Sequence, residues 1–229
     1  MRFTAFALVA LLLAAPAAAA QKETEQVDRT IPLAAGGTLK LKNFSGDVKI
    51  TGTAGQNVVI HATRRATRER LDNIKLEINV SGSTIDIEAN KRNSDWNEKN
   101  ENVVETAFDI QVPAGTKLDL NAFSSDLTIA ETTGPIEAQT FSGRIEIDLT
   151  RAGELPDITA ETFSGDVRAR LADGRSGRLV FNTFSGDLRS DLPLILHDGS
   201  RRNMTADIGN GSGARLRFKT FSGDVRVVR

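Results

Sequence analysis

The feature that most constrains this chain is a five-residue word written six times. It reads Phe44-Ser45-Gly46-Asp47-Val48, Phe123-Ser124-Ser125-Asp126-Leu127, Phe141-Ser142-Gly143-Arg144-Ile145, Phe163-Ser164-Gly165-Asp166-Val167, Phe184-Ser185-Gly186-Asp187-Leu188 and Phe221-Ser222-Gly223-Asp224-Val225. Phe123, Phe141, Phe163 and Phe184 follow one another at 18, 22 and 21 residues. Apolar residues sit five and three positions before each Phe and mostly four and six after it, as Ile136/Ala138 and Ile145/Ile147 do around Phe141. A unit this short cannot bury its own apolar face, so copies must stack. The period and the two short alternating runs per copy predict an all-β fold. It is a β-solenoid of stacked short strands, period near 20 residues, with an N-terminal strand/hairpin section and a C-terminal hairpin cap.

Stacking at ~4.8 Å per rung lines up equivalent side chains. Phe44, Phe123, Phe141, Phe163, Phe184 and Phe221 are therefore expected to form an internal stack. The change of parity between the apolar residue three before Phe and Phe itself predicts a bulge or corner there. Gly46, Gly143, Gly165, Gly186 and Gly223 would give that corner a left-handed backbone, with Ser125 the exception.

Around the repeats the chain divides as follows. Residues 1–20 have Arg2, an apolar run from Phe3 to Leu13 and small residues to Ala20, which is the layout of a secretory signal peptide. Residues 21–30 read as a flexible arm. The domain runs over 31–229, as an N-terminal strand and hairpin section (31–117) and a repeat section (118–229). In the first section a helical turn or charged loop is expected over Arg64 to Leu71. A hairpin turns at Ser81-Gly82-Ser83, an exposed loop covers Asn90 to Asn102, and a strand runs from Val103 to Val112. In the second, Met204 to Ile208 and Ala214 to Phe218 are expected to form the closing hairpin around Gly209 to Gly213.

Composition removes several function classes. Without Arg2, 28 basic residues face 30 acidic ones, a balance unsuited to nucleic acid. No cysteine is present, which excludes thiol catalysis, thiolate metal sites and disulfides. After signal removal no segment is apolar for long enough to span a bilayer.

The recurring word resembles the bacterial putative-adhesin domain family, a domain of unknown function with a β-solenoid-like fold. The Ile110-Gln111-Val112-Pro113-Ala114-Gly115 stretch and the Gly209-Asn210-Gly211 approach to the last copy fit as well. The resemblance covers about Ile31 to Arg229. It implies an envelope protein and defines no catalytic or ligand-binding residues.

Asp47, Asp126, Asp166, Asp187 and Asp224 share one place in the word, and a stacked carboxylate row is a candidate Ca²⁺ site. The competing reading, which the spacing favours, is that each Asp accepts turn N–H groups; Arg144 also interrupts the row. Repeated serines lack a base beside them, and His61 and His197 are the only histidines, so no hydrolase triad or zinc site is expected. Glu146, Asp148, Glu161 and Asp173 are carboxylates with nothing to mark a catalytic pair. Arg64, Arg65, Arg68 and Arg70 cluster as possible contacts for an anionic partner.

The expectation is thus an exported, non-enzymatic cell-envelope protein, periplasmic or at the cell surface. It needs no cofactor, has no catalytic or firmly assigned metal residues, and binds a protein, glycan or lipid headgroup of the envelope. The alternative is a β-helix-type envelope polysaccharide hydrolase or lyase. Open sheet ends make end-to-end self-association a further expectation.

Overall fold

A computed structural model describes residues 22–92 and 103–229. The signal-peptide segment and most of the loop expected over Asn90 to Asn102, including Trp96, lie outside the described residues. The architecture follows from the alternation. Each copy supplies one strand to each of two sheets, and the word is the corner between them.

Six strand pairs form the repeat: β2 (Thr38–Ser45) with β3 (Val48–Thr53), β8 (Lys117–Ser124) with β9 (Leu127–Ala130), and β10 (Ile136–Ser142) with β11 (Ile145–Leu149). They continue as β12 (Ile158–Ser164) with β13 (Val167–Leu171), β14 (Gly177–Ser185) with β15 (Leu188–Ser190), and β18 (Ala214–Ser222) with β19 (Val225–Val228). The first member of each pair joins a ten-stranded sheet and the second a nine-stranded sheet. Within each sheet the repeat strands pair in parallel and in strict register, so Ile136, Leu118 and Ile158 lie abreast. The predicted apolar positions are buried between the sheets, except Leu188 and Ser190 at one end.

The rung order departs from the chain order. β18 lies between β12 and β14, and β19 lies between β13 and β15. The last copy therefore occupies an interior rung, and the fifth is outermost.

The other elements cap the two ends. At one end stand β4 (Asn57–Ala66), β7 (Glu105–Pro113), β1 (Glu23–Pro32) and the hairpin of β5 (Ile74–Ser81) with β6 (Thr84–Arg92). Of the stretch Arg64 to Leu71, expected as a helical turn or a charged loop, Arg64 to Ala66 ends β4 and Arg68 to Leu71 opens α1, Arg68–Asn73. The flexible arm predicted over 21–30 needs correction, because Glu23–Pro32 is an edge strand paired antiparallel with β4 along its whole length. Its pairing partners lie far away in sequence, so its polar composition concealed it.

At the other end the hairpin cap is present but built differently. β16 (Leu194–Ser200) and β17 (Asn203–Ile208) form it, and β17 pairs antiparallel with β14. Residues 204–208 and 214–218 do not pair with each other. They flank β14 on opposite sides, and Gly209 to Gly213 carries the chain across.

A candidate binding groove on the ten-stranded sheet

The word's local geometry begins with the residue before Phe. Alternation carries on inward through Thr140, Thr162, Thr183 and Thr220, all buried, so the next residue must point outward. The expectation of an internal Phe stack is therefore corrected. The six rings do stack, but on the outer face, 41–60 % exposed. There is also no parity break before Phe; the corner comes after it, at the Ser-Gly pair. Counting period two through the Thr would have shown this from sequence.

The rings follow rung order: Phe44, Phe123, Phe141, Phe163, Phe221, Phe184. Their centroids are 4.6–5.0 Å apart and their planes within 2–14° of parallel. Face covers face along the row, so the four interior rings meet solvent by their edges. The result is an apolar stripe one residue wide and about 24 Å long, set by the rung spacing.

An inner ladder of threonine hydroxyls holds the corners in register. Thr140 Oγ1 donates to Ser125 O (3.2 Å), Thr162 Oγ1 to Gly143 O (3.2 Å) and Thr220 Oγ1 to Gly165 O (3.4 Å). The word's glycines are needed chiefly for close approach: a Cβ on Gly165 would lie 2.0 Å from Gly143 O, and one on Gly223 2.0 Å from Gly165 O. Ser125 is tolerated where its buried hydroxyl accepts from Asn43 Nδ2 (3.3 Å).

The aspartates form an outer ladder. Oδ1 of Asp126, Asp166 and Asp224 accepts the backbone N–H of Arg144, Asp224 and Asp187 in the adjoining rung, at 2.7, 2.8 and 3.0 Å. This is turn chemistry carried between rungs rather than within one. At the row's end Arg201 grips Asp187 through two hydrogen bonds of 2.8 and 3.1 Å, holding that carboxyl below the usual range. Among the described residues no cluster of three or more His, Cys, Asp or Glu is arranged to hold a metal ion.

Beside the Phe stripe runs a groove of about 700 Å³. Phe141, Phe163, Phe221 and Phe184 form one wall, and Gln139, Glu161, Lys219 and Asn182 line the other. Glu161 and Lys219 pair at 3.3 Å across neighbouring rungs. At its outermost rung the Arg202 guanidinium lies over the Phe184 ring, 5.8 Å from its centroid.

The other candidates fall into structural roles. Arg64 is corrected as a partner contact: its side chain is buried, ion-paired with Glu25 and donating to Ile74 O. Arg65 and Arg68 are exposed, and Arg68 pairs with Asp72 at 2.8 Å; Arg70 is half-buried. The carboxylates do not converge. Glu146 faces Arg144, Asp148 faces Arg170, Glu161 faces Lys219 and Asp173 faces Arg229. Burial pushes the Asp148 carboxyl up, but hydrogen bonds from Thr150 and Arg170 outweigh it and leave it below its ordinary value. His197 Nε2 lies 2.5 Å from Asp207 Oδ2 and Arg178 Nε 3.1 Å from Asp207 Oδ1, an arrangement that clasps β16, β17 and β14 together.

The sequence comparison gives this rack of parallel rungs a family: the Toastrack DUF4097 model matches residues 21–228. The chain belongs to the Toastrack DUF4097 family. No curated protein matches it. Among solved structures, the Toastrack chain is similar to a putative cell adhesion protein from Clostridium sporogenes. Identity is 9 %, coverage 90 % of this chain and 99 % of that one, and the TM-score 0.66. At that identity the likeness concerns the fold. A putative adhesin from Bacteroides fragilis (9 % identity, 89 % and 97 % coverage, TM-score 0.34) and a putative lipid binding protein from Parabacteroides distasonis (10 %, 89 % and 97 %, 0.25) also align. At those scores nothing is transferred from them.

Proposed function

We propose that this is an exported, non-enzymatic envelope protein, periplasmic or at the cell surface, that holds an envelope component against the phenylalanine ladder. The observation that carries the reading is the ladder itself. Six Phe rings at 41–60 % exposure on a regular sheet face form a continuous apolar stripe, and such stripes on soluble proteins mark binding surfaces. Export rests on the signal-peptide layout of residues 1–20, ahead of a domain whose first strand begins at Glu23. A binding rather than catalytic role fits the dispersed carboxylates, each tied to its own cation. The C. sporogenes protein of similar fold is named a putative cell adhesion protein, which agrees with this reading.

The test is co-sedimentation of the purified protein with isolated sacculi, outer-membrane vesicles and whole cells, at low and high salt and with and without Ca²⁺. The Phe163→Gln/Phe221→Gln variant runs alongside. Binding to one fraction, lost in the variant, is the expected result. Equal binding by both proteins would move the site off the ladder, and no binding to any fraction would sink the envelope-binding reading.

A further inference from the structure

The ladder's geometry restricts what it can hold, and the inference here rests on the reading of the ladder as a binding face. Sugars dock on the exposed faces of aromatic rings, but here each interior face is covered by the next ring at 4.6–5.0 Å. An added peptide strand needs free backbone N–H and C=O groups. The strands under the groove are paired on both sides, β10 with β8 and β12, and β18 with β12 and β14. A flat protein interface would need apolar breadth, yet the stripe is one residue wide. Polar side chains border it on one side and the exposed Ser142, Ser164, Ser222, Ser185 row on the other, with the Asp166, Asp224, Asp187 row beyond the corner. That acidic row also opposes an anionic bilayer surface.

What fits a narrow, straight slot with one apolar wall, whose polar wall is engaged with itself at the Glu161–Lys219 pair, is a hydrocarbon chain. The slot also has a charged end. Arg202 lies over the terminal Phe184 ring, exposed, and its guanidinium has no carboxylate partner among the described residues. Nearby cations are already engaged: Arg201 with Asp187, and Lys219 with Glu161. An anion arriving at Arg202 would meet a guanidinium that no carboxylate of the described residues already holds.

We propose that the groove binds a single acyl chain with an anionic head. The chain lies across the rungs, running from Phe184 toward Phe141, and the head pairs with Arg202. The ligand is held as one molecule along the ladder rather than as part of a bilayer.

The experiment is calorimetric titration of the purified protein with the saturated carboxylates from decanoate to hexadecanoate, each below its micelle concentration, and with hexadecanol. Hexadecanoate is expected to bind one to one. Each methylene removed should weaken binding by about twofold, since an open groove covers only one side of the chain. Phe221→Gln, at an exposed ring, should weaken hexadecanoate at least about tenfold. Arg202→Gln should weaken hexadecanoate by about tenfold while leaving hexadecanol unchanged. Far-ultraviolet dichroism and the melting temperature check that both variants fold. No binding, or binding indifferent to chain length and to Arg202→Gln, overturns the proposal. If hexadecanoate fails while the protein still sediments with an envelope fraction in a ladder-dependent way, this inference falls and the broader reading stands. If ladder-dependent sedimentation fails too, both fall.

Discussion

Phe221 stacks on Phe163 with ring centroids 4.6 Å apart, although Phe184 comes between them in the chain and stacks on the far side of Phe221 at 4.7 Å. The C-terminal copy has been inserted between two copies that precede it. In a simple solenoid each repeat contacts its sequence neighbours, so a terminal repeat can be trimmed with limited damage. Here the terminus is a middle rung in both sheets.

Deleting residues 214–229 should therefore abolish the cooperative urea transition rather than merely lower its midpoint. It leaves β14 and the β16–β17 hairpin without a sheet to join. Deleting residues 22–32, an edge strand with little buried surface, should keep a single transition at a lower urea concentration. Urea unfolding followed by circular dichroism distinguishes the two.

The word's glycines make a second prediction. A Cβ at Gly165 would sit 2.0 Å from Gly143 O, whereas one at Gly174 meets nothing within 4 Å and has only its φ of +75° to oppose it. Gly165→Ala should cost about 3 kcal/mol or more, and Gly174→Ala about 1 kcal/mol. Equal losses, measured by urea unfolding, would show that the rungs do not approach as closely as described.

The threonine ladder gives a pair of opposite outcomes. Thr162 Oγ1 donates to Gly143 O, but the buried Thr183 hydroxyl has no partner among the described residues. Thr162→Val should cost about 1–2 kcal/mol because it leaves a carbonyl unpaired, while Thr183→Val should be neutral or stabilising. The difference between the two midpoints is the readout.

Acid should act through Asp207. Hydrogen bonds from His197 and then Arg178 lower its pKa, and the residue is nearly buried at 8 % exposure. A carboxyl whose folded pKa is depressed contributes stability that is fully present above the unfolded value, about 3.9, and is lost as pH falls through the folded value. The melting temperature should thus fall below about pH 4. Asp207→Asn should melt lower than the parent at neutral pH and lose less of its stability on acidification. Parallel pH curves for the two proteins would remove Asp207 from the acid response.

Much of this was legible in the sequence because it depends on short-range regularity. The spacing of the six words, the apolar positions before and after each Phe, and the Ser81-Gly82-Ser83 hairpin all report local alternation. The groove was legible only in part. The Phe residues were visible, but their direction depended on following the parity through Thr140, Thr162, Thr183 and Thr220. Glu161 and Lys219, which pair along one wall of the groove, are 58 residues apart in the chain, and no local pattern pairs them.

By itself, the sequence determined the all-β class and the rung length, since period-two alternation in a repeated unit leaves few other ways to bury the apolar rows. The tertiary structure alone decided the rung order, the antiparallel edge strand from Glu23 to Pro32, the burial of Arg64 and the outermost place of Phe184 beneath Arg202. The physical reason is that in-register parallel pairing is nearly degenerate among similar copies. Which copy lies beside which is then settled by long-range packing and by the span of the connections, neither of which any short stretch of chain encodes.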